Sequence, residues 1–120
     1  MLKCMDEGCA RCEIKQRHRS HSSYLRHIEP ETLEPKGVVS QATLHPKLTG
    51  PLSSAHTRSD PVTGDFFNYN LALGRRLTRC RVFRVSAGIG QTEILATITD
   101  APPAYLHPSI LTENYFILCV

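Results

Sequence analysis

The chain has 120 residues, 41% of them hydrophobic, with 14 Lys and Arg against 11 Asp and Glu for a formal charge of +3, which suits one ordinary domain. Beyond the first 36 residues the basic side chains are scattered, whereas backbone binding to nucleic acid needs a concentrated cationic surface, so no nucleic-acid partner is expected. The apolar runs fall short of the roughly 18 residues of a transmembrane helix, and "LKCMDEGCARCEIKQRHR" after Met1 is charged where a secretory signal is apolar; a cytoplasmic location is the expectation.

Residues 1–23 read as an irregular, disordered leader: they hold Cys4, Cys9 and Cys12 and few large apolar side chains. With Cys80 and Cys119 the cysteines number five, an odd and lopsided set that does not form a secreted disulfide framework. Cys9, Cys12, His18 and His21 in "CARCEIKQRHRSH" offer thiolates and imidazoles suited to tetrahedral zinc. The Cys12 to His18 spacing is too short for the usual zinc-finger arrangement, but the set keeps a small zinc-binding or protein-interaction module as the alternative of a different class.

From Tyr24 the composition changes. "YLRHI" places Tyr24, Arg26 and Ile28 on one side of an expected strand, and "EPETLEPKG" reads as a turn, with Pro30, Pro35 and Gly37 excluding a long helix. "VVSQATL" is expected as another strand. "HPKLTGPLSSAHTRSDPVTGD" is mostly loop, and "DPVTG" at 60–64 is a turn: Asp60 can accept from nearby amides, Pro61 presets its own φ, and Gly64 tolerates the exit geometry.

The second half predicts an antiparallel meander. In "FFNYNLAL", Phe67, Tyr69 and Leu71 alternate with Asn68 and Asn70 as in a half-buried strand. "RVFRV" follows, then the glycines of "SAGIGQ", then "TEILATI" with Ile94, Ala96 and Ile98 on one side. The terminal "YFILCV" is strongly strand-forming, and an apolar edge without charge or proline is an association hazard. A piece of a larger protein is expected, with association through the exposed strand edge. "RRLTRCR" at 75–81 predicts an exposed strand face rather than a docking patch. Cys80 and Cys119 are expected to be packed rather than reactive, and Ser53 and Ser54 lack the strand, elbow and helix of a serine hydrolase.

Six histidines stand at 18, 21, 27, 45, 56 and 107. His56 and His107 sit near strand and loop junctions, where a scaffold can aim an imidazole. Imidazole suits ferrous iron, zinc, copper or nickel, yet two histidines leave a site short of ligands.

The blocks "IEPETLEPKG", "HPKLTGPLSSAHTRSDPVTGDFFNYNLALG", "RVFRVSAGIGQTEILATI" and "YLHPSILTENYFILCV" run in order over 24–120. Together they resemble the carotenoid cleavage oxygenases, especially the fungal branch that cleaves carotenoids and stilbenes. The resemblance implies an all-β chain, a partial β-propeller of about two blades from a seven-bladed fold, over residues 24–120. It implies Fe(2+) held by four histidines, with His56 as the first metal ligand and His107 as the second. It implies oxidative cleavage of a conjugated C=C bond by O2, with an apolar polyene or stilbene as the other partner. With half the ligand set, the isolated chain is expected to be inactive. Two departures stand out: His21 occupies the place of a glutamate that supports a ligand imidazole in relatives, and Pro108 follows His107 where relatives carry serine or aspartate.

Overall fold

The computed structural model describes residues 13–15, 23–29, 31–100 and 109–119, with the side chains at 13–15 and 26–28 outside the description. Apart from one 3-10 turn at Gln41–Thr43, all the regular structure among the described residues is strand. Strands β1 (Glu13–Lys15), β2 (Tyr24–Ile28) and β3 (Pro35–Ser40) form an antiparallel sheet in that order. The main sheet contains β4 (Leu52–Ser53), β5 (Arg58–Ser59), β6 (Phe66–Leu73), β7 (Thr78–Val85) and β8 (Thr92–Ile98). Both β4 and β5 pair with β6, which pairs with β7, which pairs with β8. A final antiparallel pair comprises β9 (Ser109–Leu111) and β10 (Phe116–Leu118). This is an all-β arrangement of antiparallel sheets consistent with a partial propeller, with β4 and β5 together along one edge of β6. Among the described residues no helix is long and apolar enough to cross a membrane.

The turns carry the chemistry that their sequences predict. The Asp60 carboxylate accepts from the Val62 and Thr63 amides at 2.7 and 3.2 Å, and those bonds hold its carboxyl below the usual range. Gly64 closes the turn at φ 75, donating its N–H to the Asp60 carbonyl at 2.8 Å. Between β7 and β8, Gly90 does the same against Ser86, at φ 66. Both glycines sit where a side chain is strained.

Alternation gives the main sheet two covered faces. On one, Tyr69, Leu71, Cys80 and Val82 pack with Leu52, Ile98, Phe116 and Leu118; β10 thus lies over this face, and the Phe67 and Phe116 rings stack at 6.5 Å. On the other, Phe66 and Phe83 pack with Leu48, which follows the 3-10 turn, and with Leu44, Val85 and Ile94. Fully burying each such side chain is worth about 1.5–3 kcal/mol.

Asn68 and Asn70 depart from the expected solvated face: both are fully buried. The Asn70 side-chain amide takes the place of a neighbouring peptide, accepting from Gly50 N–H at 2.7 Å and donating to Gly50 C=O and to Gln41 Oε1 at 2.9 Å each. Gln41, also fully buried, donates to Ser53 Oγ at 2.7 Å, and Ser53 donates on to Tyr69 C=O at 2.8 Å. The alternation was real, but the polar face is enclosed by residues 41–53 and satisfied by them.

The strand expected over "YLRHI" forms as β2, with Leu25 buried and Tyr24 facing outward at 58% exposure. Three other expectations are corrected. The strand expected over "VVSQATL" ends at Ser40, whose Oγ accepts from Ala42 N–H and turns the chain so that Gln41 enters the interior. Ile94 and Ile98 lie on opposite faces, because β8 carries Leu95 as an extra residue between the pairs Val82↔Ala96 and Phe83↔Ile94, and a one-residue slip exchanges faces. Cys80 is buried, which pushes its thiol up to about 11, but Cys119 is exposed. In "RRLTRCR", Arg75, Arg76 and Arg79 are exposed as expected.

Gly50 allows the network to form. A Cβ there would collide with the Leu71 carbonyl and lie 2.6 Å from Asn70 Oδ1. Gly50→Ala is therefore expected to destabilise the chain by about 3 kcal/mol, through overpacking and displaced hydrogen bonds, read as a lower urea midpoint. Ser53→Ala, which deletes two buried bonds and leaves the cavity otherwise filled, should cost about 1–3 kcal/mol in the same measurement.

Candidate metal centre

His56 occupies a break in the edge strand of the main sheet. The β4 pairing ends at Ser53↔Asn70 and the β5 pairing begins at Arg58↔Phe67. Between them residues 54–57 stand opposite only Asn68 and Tyr69, so two extra residues must leave the ladder. An excess of this kind bends a strand and re-aims its side chains.

The break is fixed. Ser54, 2% exposed, uses its hydroxyl twice: it accepts from His56 N–H at 3.1 Å and donates to His56 C=O at 3.2 Å. Asn68, directly across, donates to Ser54 C=O at 3.2 Å and accepts from Tyr69 N–H at 2.7 Å. The backbone of His56 is thereby held by one buried serine, itself held by one buried asparagine. Ser53 and Ser54 both use their hydroxyls in these backbone bonds.

Just beyond the break the chain reaches β9. Arg58 Nε donates to Ser109 C=O at 2.7 Å across 51 residues of sequence. Arg58 pairs with Phe67 and so shares the sheet face on which Phe67 stacks with Phe116. A polar and an aromatic contact therefore bind this face to β9 and β10. Ser109 is fully buried, and its hydroxyl is the one buried side-chain polar atom among the described residues without a hydrogen-bond partner.

Of the predicted ligands, His56 is described and half-buried, while His107 lies outside the described residues, two positions before Ser109. The candidate zinc set of Cys9, Cys12, His18 and His21 also lies outside them, as does most of the expected 1–23 leader. His45 is engaged locally, its Nδ1 accepting from Lys47 N–H at 3.1 Å. Among the described residues no three His, Cys, Asp or Glu side chains cluster as a metal site would. The donor type at the break, an imidazole on a braced backbone, fits ferrous iron; the number of donors described does not complete a site. Arg58, Asn68 and Ser109 were missed from sequence, since a lone arginine, an alternating asparagine and a serine after proline carry no motif.

The family described as Retinal pigment epithelial membrane protein matches residues 19–120. The chain belongs to this family, the carotenoid oxygenases. It is 51% identical over 98 residues to a torulene dioxygenase of Fusarium fujikuroi, covering 80% of this chain and 17% of the relative. It is 52% identical over 101 residues to a carotenoid dioxygenase of Neurospora crassa, covering 82% of this chain and 16% of the relative. The chain thus spans about a sixth of the length of these carotenoid oxygenases.

Two serines in this carotenoid oxygenase segment should respond oppositely to the same change. Ser54→Ala is expected to lower unfolding free energy by about 1–3 kcal/mol, because the His56 amide loses its partner. Ser109→Ala removes an orphaned hydroxyl and should leave the urea midpoint unchanged or raise it.

Proposed function

We propose that this chain is part of a non-haem iron(II) dioxygenase that cleaves a conjugated C=C bond of a carotenoid, apocarotenoid or stilbene, one oxygen atom of O2 going to each of two carbonyl products. In this reading His56 and His107 are two of the ligands of Fe(2+), residues 24–120 are the propeller-forming part and 1–23 the leader, and the location is cytoplasmic. The similarity to two fungal dioxygenases named for torulene and for carotenoids supports the reaction class.

The observation that carries the ligand assignment is the Arg58 to Ser109 hydrogen bond. His56 and His107 each stand two residues upstream of a member of that bond, and two residues span at most about 7 Å. The chain can therefore bring both imidazoles to one centre.

Iron, when bound, would supply the capture and activation of O2. The chain's own residues position. Ser54 and Asn68 hold the His56 backbone, so that its imidazole meets the metal without first being ordered. Neutral imidazoles act as ligands and not as acids or bases, and no proton transfer is assigned to either histidine. Phe67 and Phe116 strengthen the contact between β6 and β10 and so hold the sheet face beside β5 against the β9–β10 pair. The isolated chain, with two of four implied ligands, would hold iron weakly and not turn over.

A graft tests this reading. The 101 matching residues of the Neurospora crassa carotenoid dioxygenase are replaced by those of this chain, and bound iron and carotenoid cleavage are measured. The graft should retain both, and His56→Ala or His107→Ala within it should each lower cleavage at least about 100-fold, with loss of iron, a ligand mattering at least as much as the groups that support it. Undiminished iron and cleavage in either alanine variant would overturn the ligand assignment.

A further inference from the structure

We propose that the tip of the β6–β7 hairpin docks this protein on an anionic lipid surface, its arginines meeting the headgroups and two leucines reaching the acyl boundary. The inference stands on the hairpin and does not depend on the iron reading. Residues 66–92 contain no Asp, Glu or Lys, and hold arginines at 75, 76, 79, 81 and 84. Arg84 is neutralised by Asp65 and Glu93. The other four have no carboxylate partner among the described residues, and they stand on one turn or just after it in β7.

The turn presents them from a fixed base. Leu73 and Thr78 form the last rung of the ladder, and Gly74 N–H donates to Leu77 C=O at 3.1 Å, which leaves Arg75 and Arg76 at the very tip. A Cβ on Gly74 would lie 2.5 Å from that carbonyl oxygen, so the turn closes only with glycine there. Leu73 and Leu77 flank the two arginines at 54% and 63% exposure. Arg79 and Arg81 fall on one face of β7 by alternation, and burial together with the Arg79 guanidinium pushes Arg81 down from its usual range. Like charges gathered in this way repel one another until an anionic partner offsets them.

The leucines decide which partner. A soluble polyanion would use the arginines and leave Leu73 and Leu77 in water, whereas a bilayer uses both. Cations around an apolar tip are the arrangement of a group that lies in the membrane interface, because arginine stems let the guanidinium stay among headgroups while neighbouring apolar side chains go deeper. Each basic residue close to an anionic leaflet tightens binding about fivefold. Apolar polyenes dissolve in the same medium, so docking there brings the chain to the substrate class proposed above.

The test measures binding of the 120-residue chain to vesicles by co-sedimentation. Phosphatidylcholine vesicles containing about one third phosphatidylserine should carry the chain down at about 0.15 M ionic strength and release it at about 1 M, where charges are screened within about 3 Å. Pure phosphatidylcholine should not hold it. Arg75→Gln combined with Arg76→Gln should weaken binding about 25-fold, while Lys36→Gln combined with Lys47→Gln, the same loss of charge elsewhere, should change it less than about threefold. Leu77→Ser, with every charge kept, should weaken binding to the vesicles about tenfold and leave binding to soluble polyglutamate unchanged. The chain has no tryptophan, so in Leu77→Trp the single indole should shift to the blue with anionic vesicles and be quenched by brominated acyl chains. Equal binding to pure phosphatidylcholine, an equal loss from the two lysine changes, vesicle binding indifferent to Leu77→Ser, or an indole that stays in water while the chain is bound would overturn the docking. Tighter binding to polyglutamate or to a single-stranded oligonucleotide than to the vesicles would overturn it too, in favour of an acidic macromolecule.

Discussion

The hydrogen bonding of buried amides behind the edge strand is the constraint on which the rest of the main sheet depends. Asn70 and Gln41 have no exposure to solvent, and a buried amide left unpaired costs about 1–3 kcal/mol. Their partners are the backbone of Gly50 and the hydroxyl of Ser53, which both stand immediately before the break that carries His56. Satisfying these groups fixes where β4 must stop. A wholly apolar interior could have allowed several registers, since dispersion is nondirectional; directional partners admit one.

From that fixed point the chain makes its detour and returns. Ser54 and Asn68 stabilise the detour from beneath, and Arg58 meets β9 as soon as the ladder resumes. The fold thus separates two tasks. The extended strands β6, β7 and β8 provide rigidity, with both faces of β6 covered, while the short, interrupted β4 and β5 provide the position at which an imidazole is offered. A carotenoid oxygenase segment built this way keeps His56 on braced backbone instead of on a long loop, and braced backbone is where precise geometry is best held.

Much of this architecture was legible in the sequence because strands write themselves in period two and turns in Asp, Pro and Gly. β6 and β8 appear with the bounds of "FFNYNLAL" and "TEILATI", and the Asp60 turn forms with the bonds its residues imply. The failures have a common origin in partners distant along the chain. Asn68 and Asn70 look solvated until residues 41–53 are folded over them. Ile94 and Ile98 look like neighbours on one face until the extra Leu95 is seen against β7, and Cys119 looks packed until the strand is seen to end at Leu118. At the candidate site, His56 was marked by its junction and by the family resemblance, but the contact of the neighbouring β5 with β9 had no signature in spacing. Arg58, which makes that contact, is a single charged residue with no pattern around it.

The detour at 54–57 also constrains how a gene of this kind can vary. Its excess over β6 is two residues, so Leu52 and Arg58 still point to the same side of the sheet, with Leu71 and Phe67 as their respective neighbours. Gain or loss of a single codon there would turn Arg58 away from β9 and bring Ser59 round in its stead. Insertions and deletions tolerated at this place should therefore come in pairs of residues, and the shortest such change, removal of two, would restore an unbroken ladder at the expense of the histidine's perch.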